Sequence, residues 1–177
     1  MAEAGLDAVE DPAGATLEEY AALMRVLPRP RIILDAPSRG DAALGRLARL
    51  RPCDAVNLHP NMQGTFSKIR DRAAALRLAG IPVEIGGTGY TGVGAFAHLH
   101  VAAVYGENFP FGEIGGWMDH GMPSRTCVAP LPIREGFAEV PDSPGHGGEL
   151  DYAWLAAHAQ MTELNEPAAS SRSALKP

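Results

Sequence analysis

The stretch from Asp54 to Gly94, DAVNLHPNMQGTFSKIRDRAAALRLAGIPVEIGGTGYTGVG, contains the pattern that decides the fold. It opens with a short apolar run, Ala55–His59, which favours a strand that ends on a polar residue. Apolar side chains then recur at helical spacing between Phe66 and Ala79. Gly80 suits the left-handed turn that ends a helix, and Ile81–Ile85 follows as a second strand. The stretch therefore predicts a strand–helix–strand unit that leads into a glycine-rich turn.

The remainder of the chain repeats the same unit in both directions. Thr16 and Glu19 have the spacing of a capping box, which predicts a helix start. Further strands are predicted at Leu6–Glu10, Ile32–Asp35 and Phe109–Glu113, further helices at Leu17–Leu27, Asp41–Leu50, Val93–Tyr105 and Tyr152–Met161, and a hairpin at Leu131–Val140 that turns at Glu135 and Gly136.

Polar residues or glycine stand at the carboxyl ends of the predicted strands at a steady interval. They are Glu10, Asp35, His59, Gly86 and Glu113, separated by 24 to 27 residues. That interval suits one strand and one crossover helix. Parallel strands joined in this way place their carboxyl ends on one face, where barrel enzymes build their active sites. The sequence thus predicts an α/β fold with several polar side chains on a common rim.

Composition narrows the class of protein. The chain has 177 residues, of which 46% are apolar and 20% charged, as expected for one globular domain with a core. A net charge of −6 argues against a nucleic-acid-binding domain, which would need a basic face. Two cysteines, Cys53 and Cys127, are too few for a disulfide framework, which indicates the cytoplasm. The first residues lack a signal-peptide pattern, and no apolar run reaches the ~20 residues of a membrane span.

Two carboxylates and a histidine on the predicted rim are the first candidates for chemistry. Glu10 and Asp35 would suit magnesium, which takes oxygen ligands and keeps waters that a substrate can replace. Each acid could instead cap a helix or face solvent in a loop. His59 is a candidate general base because its ordinary pKa lies near neutrality. It could equally be a structural histidine, and the same two interpretations apply to Glu113.

The run from Gly87 to Gly92, GTGYTG, matches G-x-G-x-x-G between a strand and a helix. Bare backbone amides at a helix N-terminus accept a pyrophosphate, so a dinucleotide site is one interpretation. The unit comes fourth along the chain, whereas the dinucleotide motif normally opens its domain. A substrate carboxylate can be held by the same turn, with Gly87 and Thr88 as the binding residues.

At these positions the sequence resembles the mandelate racemase/muconate lactonizing branch of the enolase superfamily. The similarity runs in family order from residue 5 to about residue 151. The stretches that carry it are Val9–Pro12, Ile33–Asp35, Asp54–Leu58, Ala79–Pro82, Gly86–Thr88, Phe111–Gly116, Pro132–Phe137 and Val140–Gly145.

The resemblance implies a part of a modified TIM-type barrel, about strands four to eight. Family members bind magnesium through acids at strand ends, abstract the proton α to a substrate carboxylate and stabilise the enediolate on the metal. By position, Glu10 resembles the fourth-strand ligand and Asp35 the fifth-strand ligand. Glu113 resembles the eighth-strand acid near the substrate. His59 stands where cycloisomerase-like members carry a lysine base.

Several family features are missing from this chain. The first barrel strands, the third metal acid and the capping domain that sets specificity have no counterpart, and Ala36 replaces a common glutamate. We therefore expect a magnesium-dependent isomerase or lyase. The alternative is an inactive truncated half-barrel, or a fragment that functions only by association, as a homo-oligomer or with a missing barrel half. The predicted domain covers residues 1–151, with a returning segment at 131–151, a short helix at 152–165 and a disordered tail at 166–177.

Overall fold

The structure is a computed structural model that describes residues 5–87, 92–106, 126–129 and 131–158. Strands and helices alternate along most of this length. The strands are β1 (Ala8–Glu10), β2 (Arg31–Leu34), β3 (Ala55–Leu58), β4 (Val83–Ile85), β5 (Ile133–Arg134) and β6 (Phe137–Ala138). The helices are α1 (Leu17–Leu23), α2 (Asp41–Leu50), α3 (Pro60–Gln63), α4 (Phe66–Leu78), α5 (Gly92–Tyr105) and α6 (Tyr152–His158).

The first four strands form one parallel sheet in the order β1-β2-β3-β4. Val9 lies opposite Ile32 in the first pair of strands, and Leu58 lies opposite Ile85 in the last pair. Each strand pairs with the one that precedes it in sequence, and a helix crosses between them. This sequential winding is that of a (β/α) barrel, and it confirms the predicted partial barrel.

The core lies between the sheet and its helices. Val56 and Leu58 on β3 pack into a cluster with Leu47 of α2 and Leu76 of α4. Side chains alternate along a strand, so Asn57 between them points to the opposite face of the sheet. His59, two residues further on, shares that face. The helix-facing side is therefore aliphatic, and the polar residues of β3 are left for the inner side of the barrel.

Local sequence signals set the helix ends. The Thr16 hydroxyl accepts a hydrogen bond from the Glu19 amide, and the Glu19 carboxylate accepts one from the Thr16 amide at 2.7 Å, which confirms the predicted capping box. The Thr16 amide and the Thr16 hydroxyl both donate to the Glu19 carboxylate, and these two bonds lower the pKa of Glu19. Thr65 caps α4 in a similar way, through the Lys68 amide. Gly80 adopts φ = +67° just after α4, as predicted for a helix-ending glycine.

The observed elements differ from the predicted ones at several ends. The first helix stops at Leu23, four residues before Leu27, and both Val26 and Leu27 are exposed, so burial gives no support to a longer helix. The residue before a proline also avoids helical geometry, which disfavours Leu27 further. A short helix, α3, was not predicted; it begins at Pro60, where a proline needs no hydrogen-bond donor.

The hairpin β5–β6 confirms the prediction for the returning segment. Its strands are antiparallel, and Glu135 and Gly136 both have positive φ at the turn. The predicted strand at Phe109–Glu113, the end of the last helix beyond His158 and the predicted disordered tail lie outside the described residues. Among the residues described, no helix is both long enough and apolar enough to span a membrane.

Candidate functional site

The carboxyl ends of three neighbouring strands bring together Glu10, Asp35 and His59. One ligand atom from each residue lies within 4.8 Å of the other two. Glu10 is the last residue of β1, and the other two directly follow β2 and β3. Asp35 follows Glu10 by 25 residues, and His59 follows Asp35 by 24. The three residues lie on one rim, as the strand-plus-helix interval predicts. Their chemical roles stay predictions.

Asp35 is held in a defined orientation. The Arg39 guanidinium donates to both of its oxygens, with 2.9 Å between Nε and Oδ1, and this hydrogen bonding raises the pKa of Arg39. The Asp11 carboxylate accepts the backbone amides of Asp35 at 3.1 Å and Ala36 at 2.9 Å. Asp11 therefore fixes the main chain at the strand end, and Arg39 fixes the side chain.

A second arginine supports the loop that carries Arg39. Arg72 of α4 is buried, and its guanidinium donates to the backbone carbonyls of Ser38 and Gly40, the latter at 2.9 Å. Burial lowers the pKa of Arg72. Because its bonds reach the residues on either side of Arg39, this buried cation fixes the path of the loop at the rim.

Glu10 is positioned from the inner face of β3. The Asn57 side-chain amide donates to Glu10 Oε1 at 3.3 Å, and Asn57 itself is fully enclosed. Gly86, just after β4, leaves room for that amide, because a Cβ there would lie 2.0 Å from Asn57 Oδ1. Sequence reasoning missed Asn57 and Arg39. A polar residue inside an otherwise aliphatic strand is the signal that would have found Asn57.

His59 is the most enclosed member of the cluster. It is 6% exposed, and its Nε2 lies 3.4 Å from Asp35 Oδ2. Neither ring nitrogen forms a hydrogen bond with another residue in the described part of the chain. Two carboxylates and an imidazole facing one point form a donor set that fits a divalent cation, so the residues present are compatible with a metal.

The other predicted site residues are less informative. Gly87 follows β4 and is half-buried, whereas Thr88 and Glu113 lie outside the described residues. The dinucleotide interpretation is disfavoured by the sheet itself, because a dinucleotide-binding sheet reverses its strand order beside the first strand. Here β1 stands at one end of the sequential order.

A cavity beside three of the helices lies away from the rim cluster. Its volume is about 280 Å³, and it lies beside α3, α4 and α5 with Phe66, Ile69 and Ala97 in its wall. Its lining contains none of the three cluster residues. The ionisable groups Glu10, Asp35 and His59 converge at the rim and not at this apolar cavity.

Comparison with known proteins places this geometry in a family. The family described as Enolase C-terminal domain-like matches residues 1–154. An o-succinylbenzoate synthase from Geobacillus kaustophilus is 27% identical over 166 residues, which is 92% of this chain and 43% of that protein. The chain therefore spans less than half the length of this curated relative.

Solved structures show the same fold. A 2-chloromuconate cycloisomerase from Rhodococcus opacus 1CP superposes with a TM-score of 0.77 at 21% identity, covering 90% of this chain and 43% of that one. A mandelate racemase/muconate lactonizing enzyme from Roseovarius nubinhibens, in complex with magnesium, superposes with a TM-score of 0.67 at 21% identity, covering 82% and 38%. The family model matches most of the chain, and the solved structures match it over less than half of their own length. The chain belongs to the enolase superfamily and corresponds to the C-terminal part of its mandelate racemase/muconate lactonizing branch.

Proposed function

We propose that this chain provides the metal-binding part of a site that removes the proton α to the carboxylate of a small substrate. The observation that carries the proposal is the convergence of Glu10, Asp35 and His59, whose ligand atoms lie within 4.8 Å of one another. Family membership supports it. Racemisation and dehydration begin with this proton abstraction, and cycloisomerisation passes through the same type of enolate by proton transfer at the same carbon, so the proposal covers the three.

Magnesium is the proposed ion, with Glu10 and Asp35 as its ligands. When bound, it would hold the substrate carboxylate and stabilise the negative charge that develops as the proton leaves. Arg39 and Asp11 keep Asp35 aimed at the rim, and Asn57 does the same for Glu10. The enzyme from Roseovarius nubinhibens in complex with magnesium supports the choice of ion.

The names of the relatives support the substrate class. An o-succinylbenzoate and a 2-chloromuconate are both small carboxylates. We propose that the backbone at Gly87 and Thr88 contributes to binding such a substrate, because a glycine-rich turn before a helix presents amide donors to an anion. We also place the activity in the cytoplasm, since the free and buried Cys53 and Cys127 need no oxidising compartment.

The open side of the cluster supports a further part of the proposal, that the chain works in an assembly. Among the described strands β1 pairs only with β2, and Glu10 is exposed while Asp35 and His59 are largely covered. An unpaired strand edge is a template for another chain. A strand added beside β1, from a second copy or from a separate barrel half, would cover Glu10.

Light scattering after size exclusion tests the proposed assembly and should show a dimer or larger complex. A stable monomer at high concentration would support the alternative of an inactive half-barrel.

Isothermal titration tests the metal site. Mg²⁺ should bind the wild-type chain with a stoichiometry of one ion per chain. A muconate should bind only after the metal. Asp35→Asn should abolish both heats, whereas Asp71→Asn, the same charge change on the exposed face of α4, should leave them unchanged. Equal binding by wild type and Asp35→Asn would contradict the proposal.

A further inference from the structure

We infer that His59 is a third ligand when this site takes a divalent transition ion such as Zn²⁺, and that the site then binds that ion more tightly than the Mg²⁺ of the proposed function. The inference rests on the proposed metal site and adds a second class of ion that the same residues bind. With such an ion bound, His59 serves as a ligand and not in proton transfer. Zinc is named here as the representative of ions that accept imidazole nitrogen together with carboxylate oxygen.

The position of the imidazole is the first argument. His59 Nε2 lies 3.4 Å from Asp35 Oδ2. Two ligand atoms bound about 2.1 Å from a tetrahedral ion lie about 3.4 Å apart, so this spacing already matches a shared ion. Glu10 belongs to the same cluster, within 4.8 Å, and its exposed side chain has room to move closer.

The environment of the ring is the second argument. His59 is 94% buried, yet neither ring nitrogen forms a hydrogen bond within the described residues. A buried polar group without a partner is costly, and native proteins seldom leave one. His100, His146 and His158 each have a ring nitrogen in a hydrogen bond, so the His59 ring differs from them. A ligand for its lone pair is the missing partner, and the ring points at two carboxylates that attract a cation.

Arg39 does not block the site. A carboxylate has about four acceptor positions, and Arg39 uses one on each oxygen of Asp35. The oxygen that faces His59 therefore keeps a lone pair for an ion. The Arg39 side chain is also 41% exposed, so it can move into solvent when an ion arrives.

The donor set decides between ions. Magnesium prefers carboxylate, carbonyl and water oxygens, whereas imidazole is a ligand for zinc, iron, nickel and copper. A single substitution in the cluster therefore separates the two classes. Removal of the imidazole should weaken zinc binding and leave magnesium binding, which depends on Glu10 and Asp35, almost unchanged.

The test is a pair of titrations, with Zn²⁺ and with Mg²⁺, on the full chain and on its variants. His59→Ala should lower the Zn²⁺ affinity by more than the ~10–100-fold that loss of a supporting residue costs, with the Mg²⁺ affinity within about threefold of wild type. His59→Gln, which preserves most of the volume, should behave alike. His158→Ala, on an exposed turn of α6, should change neither. The visible spectrum of bound Co²⁺ should lose its nitrogen-ligand character in both His59 variants.

The outcomes are distinguishable. If His59→Ala and His59→Gln change the two affinities equally or not at all, the inference is wrong while the proposed function stands. If His158→Ala loses the Zn²⁺ binding, the ion binds at the surface of α6 and the inference is also wrong. If Asp35→Asn leaves both ions bound, the proposed metal site itself fails. Far-ultraviolet circular dichroism of each variant confirms that the comparison is between folded proteins.

Discussion

The two ends of the parallel sheet each contain an aspartate paired with an arginine, and the pairs are built differently. At the amino-terminal end, Arg29 donates to both oxygens of Asp54, at 2.5 and 3.1 Å, and the Ile32 amide adds a bond at 2.8 Å. At the carboxyl end, Arg39 pairs with Asp35, and beside them lies the His59 imidazole, which forms no hydrogen bond with the described part of the chain. The first pair closes one end of the barrel arc; the second lies at the end where we propose that a ligand binds.

The exposure of the two arginines shows the same contrast. The Arg29 side chain is 15% exposed and also bonds the Pro30 carbonyl, so it cannot leave without breaking the loop before β2. The Arg39 side chain is 41% exposed and bonds only Asp35 in the described structure. The Asp54–Arg29 pair is therefore built to stabilise the fold, whereas the Asp35–Arg39 pair lies at the site that we propose for a metal. In barrel enzymes these two ends divide stability and catalysis in the same way.

The largest expected effect is on folding stability, from breaking the closed end. Asp54→Asn should lower the free energy of unfolding by about 2–3 kcal/mol, because it leaves a largely buried guanidinium without its counter-charge. Asp35→Asn should cost less than about 1 kcal/mol, because Arg39 can return to water. Urea denaturation of the two variants measures both. Equal losses would show that the two ends are not specialised.

A smaller effect is expected from crowding the open end. Gly86→Ala would place a Cβ against the enclosed Asn57 side chain, and such overpacking costs about 1–3 kcal/mol. It should also move Asn57 away from Glu10 and weaken metal binding. Gly45→Ala is the matched control, because its Cβ meets no neighbouring atom and α2 gains helix propensity. Unchanged metal affinity in Gly86→Ala would mean that Asn57 does not position Glu10.

The smallest effect sharpens the description of the closed end. Burial raises the pKa of Cys53, the residue before Asp54, to about 12. The folded state therefore retains the thiol proton at a pH where the unfolded chain loses it. The free energy of unfolding should be unaffected by this thiol below the unfolded pKa of about 8.5, and should decrease as the pH rises above that value. In a Cys127→Ser background, the Cys53 thiol should react with a disulfide reagent at pH 8.5 only at the rate of unfolding. Fast modification of Cys53 in the folded protein would contradict the claim that the amino-terminal end of the sheet is closed.

The outline of the sheet and of the rim could be predicted from sequence, and the reasons are local. A strand plus a helix has a nearly fixed length, so Glu10, Asp35 and His59 recur at regular spacing. The helix Asp41–Leu50 was predicted to its exact bounds because its apolar residues repeat at helical spacing. These features depend only on short-range periodicity.

The supporting contacts could not be predicted, because they depend on tertiary structure. Asn57 and Glu10 are 47 residues apart, on strands separated by β2, so their hydrogen bond appears only once the strand order is known. Arg39 reaches back to Asp35 across a single 3₁₀ turn, Ala36–Ser38, which lacks a helical repeat. A charged residue such as Arg72 usually faces solvent on a helix, and only packing of α4 against the 38–40 loop encloses it.

Diffraction from crystals grown with Mn²⁺ tests the central claim most directly, because manganese accepts oxygen and nitrogen ligands and has an anomalous signal. The account predicts one strong anomalous peak about 2.1 Å from a carboxylate oxygen of both Glu10 and Asp35, at the carboxyl end of the sheet. A well-ordered structure with no peak there, or with the Glu10 and Asp35 carboxylates turned away from each other, would contradict it.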